Sequence, residues 1–260
     1  RETYKDSVLT LDAGSFLNPK KQHQETIFLY NYLQFDMAAI GFNELILKTQ
    51  GSSYKNYLES LTRKSDFKII ASNIFDLREA TPIKWQGIHQ SYLKTIQGVQ
   101  IGVIGILNPD TAKNVPDKNL NGLYIQNTAK SIIVRAKKLR QKGAKVIILL
   151  GNMPIDCSSQ SAHSENISPH KVNFDPNNSH RCDTYNNKLD QTLSRIAPGI
   201  VDLIITSGKE IKTANFLKGH PVMQNPGKGE FFSWIELYFD RQHGRIDTEK
   251  TILHQPVLLC

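Results

Sequence analysis

Cysteine and histidine residues gather in one polar stretch of the sequence. Cys157 and Cys182 bracket the stretch, and His163, His170 and His180 lie between them. A disulfide between the two cysteines would close a loop of about 25 residues and stabilise the fold by about 3 kcal/mol. Two free thiols are the alternative. Zinc is a third possibility, but the spacing matches no Cys-x2–4-Cys plus His-x3–5-His site, and solvated loop histidines are the simpler interpretation.

Haem ligation is a further interpretation of these histidines. Neutral imidazole is a common metal ligand, so they could face a haem carried by a neighbouring chain or domain. The chain has no Cys-x-x-Cys-His attachment motif of its own. Cys260 is the third cysteine and would be left over if the other two pair, which suggests that it pairs elsewhere or that the chain continues. Any haem would therefore come from a partner or a continuing segment.

Strand and helix patterns alternate on both sides of this polar stretch. Alternation with buried central strands predicts an α/β domain whose functional groups follow the carboxyl ends of the strands. We expect one domain over residues 1–260, with residues 152–183 as a long loop insertion. In the helix at 24–33, Ile27, Phe28, Tyr30 and Leu33 are expected to group on one face. Strands are predicted at 7–11, 37–40, 67–72, 91–96, 100–106, 145–150, 201–205, 221–224 and 232–240, and helices at 24–33, 53–63, 127–141 and 184–196.

Composition excludes several classes of protein. The 260 residues carry 32 Lys and Arg against 24 Asp and Glu, a formal charge of +8. No basic region is interleaved with aromatics as a nucleic-acid module requires, so we expect no nucleic-acid partner. The longest apolar runs are about six residues against the roughly 20 of a membrane-spanning helix, so we expect no transmembrane segment. Because the sequence starts at Arg1 without a leader pattern, either a targeting peptide has been removed or the chain is a piece of a longer protein.

Seven segments, occurring in the same order as in a known family, carry a resemblance to that family. The chain resembles the amino-terminal domain of the 5'-nucleotidase and nucleotide-sugar hydrolase group of calcineurin-like metallophosphoesterases. The resemblance implies a four-layer α/β/β/α sandwich of two mixed sheets. The matching segments are Leu-Thr-Leu-Asp-Ala-Gly at 9–14, Asp-Met-Ala-Ala-Ile-Gly at 36–41, Ile-Ile-Ala-Ser-Asn-Ile at 69–74, residues 98–106, residues 143–150, Val-Asp-Leu-Ile-Ile at 201–205 and Pro-Val-Met-Gln at 221–224.

The resemblance also implies a chemistry. Enzymes of this family hold two divalent metals, which lower the pKa of a bridging hydroxide and clamp a phosphate. Their ligands come from loops after strands: an Asp-x-His pair, the Asp of a Gly-Asp motif, the Asn and His of Gly-Asn-His-Glu, a His after the long apolar strand, and a Gly-His-x-His pair. The strand with the Asp-x-His pair would precede Val8 and is not in this chain.

Other residues occupy the remaining ligand positions here. They are Ser15 for the Gly-Asp aspartate, Phe42 and Asn43 for the Asn-His pair, Asn152 for the single His, and Gly208 and Glu210 for the His-x-His pair. These side chains offer at best three neutral oxygens and one carboxylate, too few for two dications. We therefore expect that the dimetal site is lost, that the cleft binds no cofactor, and that hydrogen bonds and packing close it. A retained divalent metal is the alternative.

The prediction that follows is a pseudoenzyme. We expect a non-catalytic, 5'-nucleotidase-like scaffold or partner-binding domain of a larger exported assembly, in the periplasm or outside the cell. Its partner would be a protein or an adjoining domain, and the sequence carries no signal for an oligomeric state. Two alternatives stay open. One is a divergent metal-dependent phosphoesterase or 5'-nucleotidase, and the other is an accessory domain of a multihaem electron-transfer protein.

Overall fold

Two β-sheets lie face to face and carry helices on their outer surfaces in the computed structural model. It describes residues 7–19, 23–49, 53–155, 188–208, 212–218, 220–225, 229–254 and 256–259. The helices are α1 (His23–Tyr32), α2 (Phe42–Leu45), α3 (Tyr54–Thr62), α4 (Asp117–Leu120), α5 (Thr128–Gln141) and α6 (Lys188–Leu193), with a 3-10 helix at Pro109–Asn114. None of the described helices has the length and apolar character needed to cross a bilayer.

The described residues form ten strands in the two facing sheets and six more in three two-stranded sheets. In chain order they are β1 (Leu11–Asp12), β2 (Met37–Ala39), β3 (Lys68–Ile70), β4 (Ile74–Asp76), β5 (Ile88–His89), β6 (Tyr92–Ile96), β7 (Val99–Leu107), β8 (Leu123–Ile125), β9 (Val146–Asn152), β10 (Leu203–Thr206), β11 (Thr213–Leu217), β12 (His220–Gln224), β13 (Phe231–Phe232), β14 (Ile235–Asp240), β15 (Arg245–Leu253) and β16 (Val257–Leu258). One sheet has the order β1-β2-β3-β5 and is parallel throughout. The other has the order β11-β12-β10-β9-β7-β6 and mixes parallel and antiparallel pairs.

Three apolar clusters separate the four layers. One fills the space between the sheets and includes Met37 and Ile70 from the first sheet and Val103 and Ile148 from the second. A second lies between the first sheet and the helices α1 and α3. The third lies between the second sheet and the helices α5 and α6. This arrangement confirms the α/β/β/α sandwich.

Local sequence explains where the main helices begin and why the central strand is buried. The Ser53 side chain caps α3 by accepting a hydrogen bond from Asn56 N at 3.2 Å. Asn127 caps α5 in the same way, through Lys130 N at 3.1 Å. Strand β9 is buried along its whole length, as a continuous apolar run in a sheet covered on both faces requires.

The two sheets approach each other closely at Gly105 in β7. A Cβ atom on this residue would lie 2.6 Å from Ile70 O in the facing sheet, so only glycine fits. Ser72 N donates to Gly105 O at 2.8 Å. The Asn73 side chain then pairs twice with Leu107: Nδ2 donates to the carbonyl oxygen at 2.7 Å, and Oδ1 accepts from the amide at 3.0 Å. Main-chain and amide hydrogen bonds therefore join the segment that directly follows β3 of the first sheet to β7 of the second.

Two sequence expectations need correction. The strand predicted at 232–240 is two strands with different partners, because β13 pairs with β16 and β14 pairs with β15. In α1, Ile27 is buried, but Phe28 is 71% exposed and Leu33, just beyond the helix, is 49% exposed, so the predicted grouping does not form a core face. The hairpin between β6 and β7 is confirmed. Gln97 and Gly98 form its turn with φ of 48° and 78°, the positive values that a tight two-residue turn needs.

Candidate functional site

Two loops meet at the carboxyl ends of β1 and β2, which are parallel neighbours. The first loop contains Gly14 and Ser15, and the second begins at Gly41. A Cβ atom on Gly41 would lie 2.6 Å from Ser15 Oγ and 2.7 Å from Gly14 C, closer than real Cβ atoms approach. Gly14 also has φ of 101°, which favours glycine. The two glycines thus allow the loops to pack backbone against backbone.

A buried carboxylate, Glu44, joins these loops. Its Oε2 accepts from Gly41 N at 2.7 Å and from Ser15 N at 2.8 Å, and its Oε1 accepts from Leu17 N at 2.7 Å. The bond to Gly41 is the reciprocal half of a capping box that starts α2. Burial raises the pKa of Glu44 to about 7, although the three N–H bonds act in the opposite direction. The carboxylate therefore has a structural task, holding three amides of two loops.

A second carboxyl, Asp12, lies at the end of β1. Its Oδ1 accepts from Gly14 N at 2.7 Å, and its Oδ2 accepts from Tyr30 OH at 2.8 Å. Burial raises the pKa of Asp12, and its bonds to Gly14 and Tyr30 partly oppose that rise. Burial and the Asp12 charge together raise the pKa of Tyr30, so the phenol stays a donor. Both oxygens of Asp12 are thus occupied within the protein.

Ser15 and Asn43 occupy two of the predicted ligand positions and contact each other. Asn43 Nδ2 donates to Ser15 O at 3.0 Å, and Asn43 N donates to Ser15 Oγ at 3.4 Å. Ser15 has φ of 67°, a value that a serine rarely adopts. The bonds from Asn43 and the bond from Ser15 N to Glu44 hold it there.

Asn152, at the end of β9, contacts two more of the predicted positions, Phe42 and Gly208. Its Oδ1 accepts from Phe42 N at 3.2 Å, and its Nδ2 donates to Ser207 Oγ at 3.0 Å. The Ser207 hydroxyl in turn lies 3.1 Å from the carbonyl oxygens of Ala13 and Gly14. A Cβ atom on Gly208 would lie 3.2 Å from Asn152 Nδ2. Five of the six predicted positions therefore form one cluster, which we call the loop cluster: Ser15, Phe42, Asn43, Asn152 and Gly208, with Ser207 and Glu44.

The donors of the loop cluster do not fit a pair of dications. The Glu44 carboxylate already accepts three amide protons, and the Asn152 amide is bound at both ends. Gly208 has no side chain, and Phe42 offers a ring. Among the described residues there is no group of three or more His, Cys, Asp or Glu placed to share a metal ion. Hard dications require several anionic or imidazole donors, which the described residues at these positions do not supply.

Several predicted positions lie outside the described residues. These are Glu210, Cys157, Cys182, His163, His170, His180 and Cys260. Family spacing also missed Ser207, which links Asn152 to the first loop, and the role of Glu44. The Gly-x-x-Glu spacing of residues 41–44 is a capping-box pattern that would have indicated one of the three Glu44 bonds. No sequence pattern marks the other two.

Solved structures with the same fold include a calcineurin-like phosphoesterase, a sulfate thiohydrolase and a 5'-nucleotidase precursor. The calcineurin-like phosphoesterase YfkN of Bacillus subtilis matches 97% of this chain with a TM-score of 0.69, at 18% identity and over 79% of its own chain. The sulfate thiohydrolase SoxB of Thermus thermophilus matches 95% with a TM-score of 0.66, at 14% identity and over 38% of its own chain. A 5'-nucleotidase precursor of Thermus thermophilus matches 95% with a TM-score of 0.61, at 16% identity and over 45% of its own chain. The chain thus has the fold of a 5'-nucleotidase-like metallophosphoesterase domain.

Two curated proteins are similar in sequence. The cell wall protein Lmo0130 of Listeria monocytogenes is 20% identical over an alignment of 268 positions, which covers 92% of this chain. The protein 5NUC of Lutzomyia longipalpis is 28% identical over 158 residues, which span 58% of this chain. The aligned regions cover 31% and 26% of these relatives, so the chain spans less than a third of their length. No family model matches the sequence.

Proposed function

We propose that this chain is a non-catalytic, 5'-nucleotidase-like domain that serves as a scaffold or partner-binding part of an exported protein. The observation that carries the proposal is the bonding of the loop cluster. The side chains of Ser15, Asn43 and Asn152 are hydrogen-bonded to neighbouring loop residues, and Glu44 is committed to three amides. A catalytic site would leave such groups free to bind metal and substrate.

The relatives support the proposal that the protein is exported and that this chain is one domain of a larger protein. One relative is named a cell wall protein, and one structural neighbour is named a precursor. Because this chain corresponds to less than a third of the curated relatives, an adjoining domain is the simplest partner. A scaffold has to keep the fold but does not need a metal site.

The surface of α1 supports contact with a protein partner. Phe28 is 71% exposed and Tyr32 is 75% exposed, with Leu29 and Leu33 beside them at 49% each. These four residues, which we call the α1 patch, form two pairs four positions apart, Phe28 with Tyr32 and Leu29 with Leu33, and Leu33 lies just beyond the helix end. Exposed apolar patches of this kind mark interaction sites more often than isolated exposed residues do.

Metal content and nucleotide hydrolysis test the proposal together. Elemental analysis of the purified protein should find no stoichiometric Mn, Zn or Fe. Phosphate release from nucleotides with added Mn²⁺ should be the same for the wild type and for Ser15→Ala and Asn152→Ala variants purified in parallel, since any shared activity is then a contaminant. Two metals per chain, or a metal-dependent activity that both variants lose, would show that the substituted positions still work.

A further inference from the structure

A cationic cavity lies beside α5, away from the loop cluster. It has a volume of about 460 Å³ and is bounded by the carboxyl-terminal half of α5 and by the chain from Ile83 to Ser91. The end of α5 leads into the start of β9, whereas Asn152 ends that strand. Seven residues at about 3.3 Å each place the two regions roughly 20 Å apart. The cavity and the loop cluster have no residue in common.

Arg135 is the unusual residue of this cavity. It is only 7% exposed, and its guanidinium has no hydrogen bond, ion pair or ring contact among the described residues. Burial without a counter-ion lowers the pKa of Arg135 from its ordinary value. Arg140 on the same helix shows the usual arrangement, because its Nη2 lies 2.6 Å from Asp202 Oδ2. The guanidinium borders the cavity, and a charge largely removed from solvent without a counter-ion is costly unless an anion completes it.

The rest of the cavity is also basic. Lys138 and Lys142 follow Arg135 at spacings of three and seven, so all three lie on one face of α5, and Lys84 faces them from the other wall. No Asp or Glu is among the described residues that line the cavity. Lys84 has a partner outside it, Glu79 at 3.6 Å, but both side chains are exposed and such pairs are weak. The negative end of the helix dipole would account for Lys138 and Lys142, but not for the buried Arg135.

We propose that this cavity binds a phosphate monoester of a small organic molecule. A planar guanidinium matches two phosphate oxygens, and two lysines nearby supply further positive charge. Gln90 and Ser91 on one wall and Gln141 on the other provide neutral hydrogen-bonding groups. A volume of about 460 Å³ is in the range of small-molecule sites and exceeds what a bare phosphate ion needs.

Binding is tested by calorimetry and thermal unfolding with a chelator present, so that no metal-mediated binding contributes. The probes are ribose 5-phosphate, inorganic phosphate and ribose, at constant ionic strength. We expect saturable binding of ribose 5-phosphate, weaker binding of inorganic phosphate, and none of ribose. Equal affinities for the two phosphates would assign the site to the free ion and overturn the monoester assignment. Absence of saturable binding for both would overturn the site.

Variants on α5 assign the binding to this cavity. Arg135→Met should weaken binding by about tenfold or more, as loss of a charged hydrogen-bonding partner does. Without phosphate, the same variant should melt at or above the wild-type temperature, because an unpaired buried charge is gone. Lys137→Met is the control, since Lys137 is exposed on α5 outside the cavity, and it should bind as the wild type does.

A second variant keeps the test valid if Arg135→Met does not fold. Lys138→Gln with Lys142→Gln changes only exposed positions and should also weaken binding severalfold. Undiminished affinity in both variants would refute the assignment. The result is independent of the metal and hydrolysis assays, so either proposal can fail while the other stands.

Discussion

At the scale of single residues, Glu44 links the pH dependence of stability to the loop cluster. Its pKa is 4.5 in an exposed chain and about 7 in the fold, because burial disfavours the charge. Between these pH values the folded state binds more protons than the unfolded state. The contribution of this group is therefore present below about pH 4.5 and is lost as the pH rises through about 7, a change of up to about 3 kcal/mol.

Urea unfolding at pH 5 and at pH 8 measures this change. The wild type should lose stability between the two values relative to Glu44→Gln, which does not titrate. The variant should be less stable at both, since an amide nitrogen cannot accept an N–H bond. His89 and His220 have lowered pKa values through burial and oppose the trend near neutrality, but they are common to both proteins and cancel. Identical pH slopes in the two proteins would contradict the prediction.

At the scale of elements, the contact between the two loops depends on Gly41. Its φ of −116° is accessible to any residue, so Gly41→Ala is a purely steric probe. The new Cβ would lie 2.6 Å from Ser15 Oγ and 2.7 Å from Gly14 C, and backbone has to move. We expect a loss of about 2–3 kcal/mol or more in the free energy of unfolding.

Gly199→Ala provides the matched control for that substitution. Gly199 has φ of 79°, but a Cβ atom added to it would meet no other atom within 4 Å. This variant should cost only the backbone strain, about 1–2 kcal/mol. Chemical denaturation of both proteins compares them, and an equal or smaller cost for Gly41→Ala would show that the loops do not pack as closely as described.

The α1 patch gives a second prediction at this scale. Phe28→Ser with Tyr32→Ser should change the free energy of unfolding by no more than about 0.5 kcal/mol per site, because both side chains are exposed. Ile27→Ala, on the same helix, removes a buried side chain and should cost about 2–5 kcal/mol. A large loss in the double variant would mean that the patch is covered within this chain and is not a surface for a partner.

Sequence patterns predict those elements that local residues define, such as a strand buried along its whole length or a helix with a clear cap and stop. The apolar run at residues 146–150 is typical of a strand buried on both faces, and the Asn127 cap and Gly143 bound the helix α5. The break within residues 232–240 is not visible in this way, because it depends on which distant strand each half pairs with. The exposure of Phe28 is likewise decided by how α1 sits on its sheet.

The same distinction applies to the candidate site, where the sequence predicts which residues meet but not their hydrogen-bond partners. Family spacing points to Ser15, Asn43 and Asn152, and these residues do come together. That spacing predicts which positions correspond to metal ligands of the family, but not which groups the residues at these positions bind. The bridge from Asn152 to Ser207 spans 55 positions along the chain, so only the folded structure reveals it.

At the scale of the whole molecule, the proposed disulfide between Cys157 and Cys182 is open to direct test. Both residues lie outside the described part of the chain. Thiol labelling without reductant should miss both, and reduction should lower the melting temperature by about 5–10 °C, as expected for a loop of about 25 residues. A double Cys→Ser variant should melt at the reduced temperature and be unaffected by the reductant. Quantitative labelling of both thiols in native protein would exclude the bond.

The close approach of the sheets at Gly105 determines how the molecule comes apart. Sheets joined only by side chains can separate into units that unfold in turn. Here Ser72 N and the Asn73 amide bond directly to main-chain atoms of β7, so opening the four-stranded sheet also strips hydrogen bonds from the six-stranded one. We expect one cooperative transition with equal calorimetric and van't Hoff enthalpies. The Leu107 amide should then exchange its hydrogen only through global unfolding, and two resolved transitions would show that the sheets are separate cooperative units.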